Sequence, residues 1–545
     1  MLKRLSLTIL LLIAFFIAQP LAKTEPLPFQ LLYQKDGAAA GDNFGSSVAG
    51  ARDVNGDSQA DFLVGAPLAD PGGFVDAGSA FVYSGANGSL LFQKSGAADD
   101  DLLALSVAGT GDINGDGKAD FIVGVYLADP FGRANAGSAF IYSGLDGSLL
   151  YQKHGGFTGD RLGGSVSGAG DVNVDGREDF IVGAEATNPG GRIDAGSAFV
   201  YSGADGALLY QKDGMNGDDA FGWSVSGAGD VNGDGKADFI IGAPFAIPGG
   251  LLNAGSAYVY SGFNGALLYQ KDGAAANYYL GGAVAGAGDI NGDLKSDFLV
   301  GAPGASPGGF ASAGSAYIYS GADGTLLYQK DGTAIGDDMG DFGAVAGAGD
   351  VNGDGRPDFI IGAYGANPGG RIDAGSAFVY SGMNGSLLFQ IDGAVPSDFL
   401  GSVAGAGDIN ADGKADVIVG ASGADPGGLS DAGSAYVYGL VSTDVPKEGK
   451  NRPAQFELSQ NYPNPFNPTT TIRYFLPKRE KVTLEIFNLL GERVKLLADN
   501  EEVAGEHAAI WDGTDEKGKT LPSGVYFYRL KGEDFSETKK MMFLK

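Results

Sequence analysis

The sequence predicts an all-β chain: a seven-bladed β-propeller with four-stranded blades, closed by its N-terminal strand and followed by a small β-sandwich. Three observations carry this. First, the phrase Gly-Asp-[Val/Ile]-Asn-x-Asp-x-x-x-Asp-[Phe/Val] occurs seven times. Its first aspartates are Asp53, Asp112, Asp171, Asp230, Asp289, Asp350 and Asp408, spaced 59, 59, 59, 59, 61 and 58 residues apart, with Arg52 replacing the glycine in the first copy. A near-constant period of this length marks a propeller or a solenoid. Second, Asn-Gly or Asp-Gly pairs stand between alternating apolar runs at Asn87-Gly88, Asp146-Gly147, Asp205-Gly206, Asn264-Gly265, Asp323-Gly324 and Asn384-Gly385; this is the strongest short hairpin signal. Third, the chain enters on a lone outer-strand sequence, Leu31–Lys35 (LLYQK), and the seventh period stops at Ala435–Tyr438 without one. The first strand can therefore complete the last blade and leave no open edge. An open solenoid would want capping repeats, and none is visible.

The repeat beginning near Phe221 shows the four strands of one blade. They are expected at Trp223–Ala228, Phe239–Ala243, Ser256–Tyr260 and Leu267–Lys271, with the aspartate loop between the first two and a Pro-Gly-Gly loop between the next two. The first strand is mostly Gly, Ala, Ser and Val, which suits the crowded innermost position of a blade. Phe44-Gly45 with Gly65-Ala66-Pro67, and Phe221-Gly222 with Gly242-Ala243-Pro244, resemble the FG-GAP repeats of the integrin α-subunit propeller over roughly residues 29–440. Leu103-Ala104 and Gly124-Val125-Tyr126 depart from that pattern in the second repeat. The resemblance implies the fold and says little about function.

Composition narrows the chemistry. The 545 residues are 44% hydrophobic, with 94 glycines and a net charge of −30. The acidic balance argues against nucleic-acid binding and against a basic patch on anionic lipid. There is no cysteine, and the two histidines, His154 and His507, are far apart in sequence, which removes thiolate sites and most zinc, copper and haem chemistry.

The loops instead suit a hard cation. Positions 1, 3, 5 and 9 of each loop are Asp, Asn, Asp and Asp, and position 7 would offer its backbone carbonyl. The candidate ligands are Asp53, Asn55, Asp57, Gln59 and Asp61; Asp112, Asn114, Asp116, Lys118 and Asp120; Asp171, Asn173, Asp175, Arg177 and Asp179; Asp230, Asn232, Asp234, Lys236 and Asp238; Asp289, Asn291, Asp293, Lys295 and Asp297; Asp350, Asn352, Asp354, Arg356 and Asp358; and Asp408, Asn410, Asp412, Lys414 and Asp416. These reach six oxygens if position 9 binds through both of its own, as calcium requires, so up to seven Ca2+ ions are expected. The integrin-type loop, by resemblance, uses the same 1-3-5-7-9 pattern. Seven Asx-rich turns that need no metal are the alternative. Position 6 is Gly in five copies but Ser58 in the first and Leu294 in the fifth, so those two sites are expected to bind more weakly. Seven calcium ions would take the net charge from −30 to −16.

In such a meander the metal loops and the Asn-Gly turns share one face, and the Pro-Gly-Gly loops and interblade connectors share the other. That second face carries Phe74, Arg133, Phe157, Arg192, Tyr278, Tyr279, Phe310 and Arg371, residue types that anchor interfaces.

The two ends of the chain concern export. Lys3 and Arg4 precede the largely apolar run Leu5–Ala18, with small residues at Ala18 and Ala22; this reads as a signal peptide over 1–22, too short for a membrane span. Residues 441–455 form a polar linker, and 456–545 hold alternating apolar segments: Gln460–Thr471, Val482–Phe487, Trp511-Asp512-Gly513 and Leu521–Leu530. They predict a small Ig-like β-sandwich. Tyr462-Pro463-Asn464-Pro465-Phe466-Asn467-Pro468 and Gly524-Val525-Tyr526 resemble the C-terminal sorting domain of the type IX secretion system. That resemblance implies a secretion-machinery partner, passage across an outer membrane, a secreted or cell-surface location, and no transmembrane anchor in the mature chain. The leading expectation is a non-catalytic protein that binds an extracellular protein or glycan. A structural surface component and an enzyme acting on polysaccharide or phosphoester are the alternatives; Glu178, Glu185 and His154 break the repeat but form no recognisable catalytic set.

Overall fold

The computed structural model describes residues 29–440 and 457–544, except 459, 462, 463, 465, 467, 477, 503, 504, 533 and 534. The expected signal peptide and linker, and Tyr462, Pro463, Pro465 and Asn467 of the sorting motif, lie outside the described residues. The chain divides into two compact units, one ending at Thr443 and the other beginning at Asp444.

Residues 29–440 form seven four-stranded antiparallel sheets, the blades of the propeller. In the fourth blade the strands are Ser224–Gly229, Asp238–Ala243, Ser256–Tyr260 and Leu267–Asp272. The first strand starts one residue later than expected because the Trp223 N–H closes a turn on the Ala220 carbonyl. The second starts one earlier because Asp238 pairs with Gly229 across a bulge. The last blade is completed by the chain's first strand: Phe29–Asp36 pairs with Ser434–Leu440, and the Ser434 hydroxyl donates to Asp36 at 2.8 Å. These two strands are longer than the sequence suggested.

The inner strands explain the glycines. A Cβ on Gly227 would stand 2.7 Å from the Gly168 carbonyl oxygen, and Gly168, Gly109, Gly50, Gly405, Gly347 and Gly286 continue this backbone-to-backbone contact around the ring. Only glycine allows seven inner strands to approach so closely. The second strand of every blade is buried along its whole length, as in Asp238–Ala243, and supplies most of the core.

The outer LLYQK strand joins each blade to the next. The Tyr210 hydroxyl donates to the Gly262 carbonyl at 2.8 Å, and Lys212 Nζ donates to the Gly265 carbonyl at 2.7 Å while standing 5.0 Å over the Tyr260 ring. The sixth blade has Phe389 and buried Ile391 at these places. Its neighbour takes its outer strand from the N-terminus, so among the described residues no hairpin turn is there to receive an ammonium. Instead Phe29 stacks on Phe389 at 4.5 Å.

The second unit is a β-sandwich. One sheet has the order Glu457–Leu458, Thr470–Leu476, Gly505–Trp511; the other has Arg493–Glu502, Glu480–Phe487, Gly524–Lys531, Ser536–Phe543. Trp511, Tyr528, Phe466 and Phe543 are buried between them. Two expected strands shorten: within 460–471 the continuous strand begins at Thr470, after an isolated bridge from Phe466 to Phe543, and within 521–530 it begins at Gly524. Ahead of that strand the chain turns, with the Tyr526 hydroxyl bonded to the Pro522 carbonyl at 2.8 Å. Among the described residues no helix is long and apolar enough to cross a membrane.

Candidate metal loops and the opposite face

Each aspartate loop folds around its own backbone. In the second blade Asp112 accepts the N–H groups of Gly115, Asp116 and Gly117; Asn114 Oδ1 accepts that of Asp116 at 2.9 Å; and Asp116 Oδ1 accepts that of Lys118 at 2.9 Å. Asp120 is fully buried. Its Oδ2 accepts N–H groups from Ile113 and Asn114, and its Oδ1 accepts that of Gly144 in the hairpin turn at 2.9 Å. Position 9 therefore fastens the loop to the neighbouring turn and keeps one lone pair on Oδ1, where the spacing alone suggested both oxygens for a metal. Burial pushes Asp61, Asp120, Asp179, Asp238, Asp297 and Asp358 up to about 6 and Asp416 to about 7, with the position-5 carboxylate adding to the rise and backbone donors opposing it.

Positions 1, 3, 5 and 9 thus share one loop, but among the described residues no three Asp, Glu or His side chains converge as a ready-made metal cluster. The donor set still fits a hard cation. All the side-chain donors are oxygens, and a buried carboxyl beside a second carboxylate is the arrangement a divalent ion relieves.

Position 6 has a left-handed backbone in every loop, including Ser58 at φ 71° and Leu294 at φ 72°. Position 4 does as well: it is Gly in five loops but Val174 (φ 60°) in the third and Ala411 (φ 59°) in the seventh, a strain not among those expected from the sequence. The position-7 side chain explains the pattern. Lys118 Nζ donates to the Asn55 carbonyl of the preceding loop at 2.9 Å, and a Cβ on Gly56 would overlap that ammonium. Arg177, Lys295, Arg356 and Lys414 crowd Gly115, Gly233, Gly292 and Gly353 in the same way. Where Val174 fills position 4, the next blade's Lys236 lies 4.6 Å over the Phe263 ring instead; where Ala411 fills it, the next blade carries Gln59.

On the opposite face, the arginines expected as free anchors are braces. Arg133 donates to the Gly155 carbonyl, Arg192 to Gly214 and Arg371 to Gly393, at 2.9, 3.2 and 3.0 Å. Tyr278 and Tyr279 are half-buried, while Phe74, Phe157 and Phe310 are exposed. A recurring carboxylate caps the connectors: Asp42, Asp101, Asp160, Asp219, Asp337 and Asp398 each accept an N–H three residues upstream, as in Phe157 N to Asp160 at 2.7 Å.

Near the axis the sevenfold pattern breaks. Glu185 is 7% exposed, accepts the Tyr126 hydroxyl at 2.9 Å and stands 3.8 Å from Arg161; burial holds its carboxyl at about 7. It lines a cavity of about 520 Å³ with Arg161, Asp194, Asp218, Trp223 and Phe245. Trp223 meets Phe245 edge-on at 5.6 Å and Phe342 at 6.2 Å. Phe342 belongs to the insertion that lengthens one interval to 61 residues. Met339, bridged to Gly314 and buried, takes the place held by Phe221 in the fourth blade. Glu178 stands at the other end of its strand and pairs with Arg52 at 2.8 Å, so Glu178, Glu185 and His154 do not assemble into one site.

The family model described as the FG-GAP repeat matches residues 44–83, 104–142, 221–260, 280–319, 342–380 and 399–438, and one described as the FlgD Ig-like domain matches 468–534. The third blade, Val166–Asp213, is outside these matches yet folds like the others. Integrin alpha-5 of Xenopus laevis is 31% identical over 220 residues, covering 36% of this chain and 19% of its own length. Phosphatidylinositol-glycan-specific phospholipase D of Bos taurus is 31% identical over 186 residues, covering 31% and 22%. The chain thus spans about a fifth of the length of these curated relatives. A solved structure of PorZ, an essential bacterial surface component of the type-IX secretion system of Porphyromonas gingivalis, overlaps 93% of this chain and 60% of its own at 14% identity and a TM-score of 0.40. Residues 29–440 are an integrin-like β-propeller with FG-GAP repeats.

Proposed function

We propose that this chain is an exported, calcium-stiffened propeller that acts as a non-catalytic binding protein at the cell surface or outside the cell. The observation that carries the reading is a division of labour between the two faces. The aspartate loops repeat one geometry seven times; six fasten to the adjacent hairpin turn and five reach the preceding loop through position 7. The opposite face carries the exposed aromatic departures from the repeat, Phe131 and Phe157. Calcium in the loops would relieve carboxylate repulsion and rigidify one end of every blade, leaving the other end as a firm platform for a ligand. The sandwich unit would serve export, as a sorting domain read by the secretion machinery.

The test is binding of the purified chain to extracellular proteins and glycans, with calcium and with chelator, alongside thermal unfolding in both conditions. Selective binding and a higher Tm in calcium are expected. A chain that is folded in calcium but binds no ligand of any class refutes the binding role. A hydrolase reading has one observation behind it, the Glu185 carboxyl held near 7 beside Asp194 and Asp218 in one cavity. Turnover of a polysaccharide or phosphoester that Glu185→Gln abolishes would favour it.

A further inference from the structure

We propose that the outer corner of the second and third blades is a binding site for a neutral saccharide chain, with Phe131 and Phe157 as its stacking platforms. The proposal rests on the reading of the propeller as a binding module, and it names a ligand class and a place. Three departures from the repeat meet at this corner. The middle residue of the turn in the Pro-Gly-Gly loop is glycine in six blades: Gly72, Gly190, Gly249, Gly308, Gly369 and Gly427, each at φ between 60° and 67°. In the second blade it is Phe131, in the same left-handed conformation at φ 58°. His154 stands where the other blades have Asp or Ser, and Phe157 stands where they have Ala, Asn or Val.

Phe131 carries a backbone penalty that glycine would avoid, and packing does not account for it, because the residue is 79% exposed. A strained, exposed aromatic side chain points to a role outside the fold. The ring is nonetheless held in place. The Arg133 guanidinium lies 5.2 Å from its centroid, and His154 meets it edge-on at 5.2 Å. Arg133 is fixed in turn by its bond to the Gly155 carbonyl, and His154 Nδ1 by the Ser138 hydroxyl at 2.8 Å. A pre-positioned flat ring with little motion to lose is a good binding surface.

His154 also lines an open cavity of about 750 Å³, together with Phe157 (78% exposed), Thr187, Ser197, Phe199 and Gln211. The polar side chains include the Thr187 and Ser197 hydroxyls, the Asn188 and Gln211 amides, the His154 imidazole and the Asp160 carboxylate, whose Oδ2 accepts the Phe157 N–H. Thr187 and Ser197 are chained to Asp213, and Gln211 donates one N–H to it at 2.8 Å, which leaves that amide a second N–H and its oxygen. Flat rings offer their electron-rich faces to the C–H face of a pyranose, and neutral polar groups receive its hydroxyls. The net charge of −30 disfavours an acidic glycan, so the saccharide is neutral.

The test uses the full chain in about 1 mM calcium. Affinity electrophoresis is run in gels containing mannan, xylan, β-glucan or galactan, followed by calorimetry with the hexasaccharide of any polymer that retards the protein. Retardation by at least one polymer is expected. F131G and F157A should each weaken binding about tenfold, while M215A, which removes an exposed side chain on the next connector, binds as the parent does. F131G should melt no lower than the parent, since it relieves strain and removes little packing. The proposal is overturned if no neutral polymer retards the folded chain, if F131G and F157A bind as the parent, or if F131G melts lower, which would make Phe131 a structural residue. A protein ligand found in place of any saccharide would overturn this proposal and leave the binding role standing.

Discussion

Replacing Glu185 by Gln tests which force governs the axial cavity. Burial competes there with groups that favour the charged form: the residue's own backbone N–H, the Tyr126 hydroxyl and Arg161. Burial, with the side chain only 7% exposed, disfavours the carboxylate, while Arg161, 3.8 Å away but 45% exposed, favours it. Burial wins, and the carboxyl sits at about 7 against 4.5 for a free Glu. That gap corresponds to about 3 kcal/mol. Because the folded value is raised, this stability is fully present below pH 4.5 and is lost as pH rises to about 7. Glutamine stays neutral throughout and can still accept the Tyr126 hydroxyl. The stability of Glu185→Gln relative to the parent should therefore rise by about 3 kcal/mol between about pH 4.5 and 7.5, whatever constant offset the substitution brings. Urea unfolding of both proteins in saturating calcium at steps of pH measures this, and the titration of the loop aspartates cancels in the difference. A difference independent of pH, or one that falls as pH rises, would mean that those groups, Arg161 among them, hold the carboxylate ionised and outweigh burial.

Four further outcomes follow from the geometry. Val174→Gly removes a β-branched residue from φ 60° and should stabilise the propeller by about 1 kcal/mol; a lower urea midpoint would contradict the strain. Gly115→Val should do the reverse by at least as much, since its Cβ would also displace the Arg177 guanidinium, and thermal melting reads the sign. Lys330→Met loses the bond to the Gly385 carbonyl at 2.6 Å and the approach to the Tyr380 ring and should cost about 1–2 kcal/mol; Ile391→Lys in the next outer strand should give no compensating gain, because no hairpin turn faces it. Calcium removal should lower the Tm, and a per-site titration should find loops two, four and six, with Gly at both left-handed positions, tighter than the other four; equal affinities would show that backbone strain does not set affinity.

What was legible in the sequence is what repeats. The period, the hairpin pairs and the unmatched LLYQK at the start were enough for seven blades and their closure, because each depends on local turn chemistry and simple alternation. The position-6 strain at Ser58 and Leu294 was legible because it interrupts a run of glycines. Val174 and Ala411 interrupt a run of five glycines at position 4 in the same way; what no single loop reveals is that position 4 faces a side chain of the next loop, as the Asn55 carbonyl faces Lys118. The arginine braces were not legible either: their carbonyl partners lie 22 residues away in the connector. The carboxylate caps at Asp42 and its equivalents had a readable signal, an aspartate two residues before the large apolar residue that opens the repeat: Phe44, Leu103, Leu162, Phe221, Met339 and Leu400.

In a repeat fold, a departure from the consensus has to be sorted before it means anything. Ile391 departs because the blade beside it lacks a hairpin turn, and the Lys236 side chain turns aside because Val174 occupies its usual seat. These departures are answered inside the fold. Phe342 and Trp223 answer each other across the axial mouth at 6.2 Å. Phe131 and Phe157 are different: they remain 79% and 78% exposed, and the first keeps a backbone conformation that its six counterparts reserve for glycine. Glycine there would relieve strain and remove almost no packing. The ring adds almost nothing to the blade, and stacking a saccharide is the use that its fixed, exposed geometry supports.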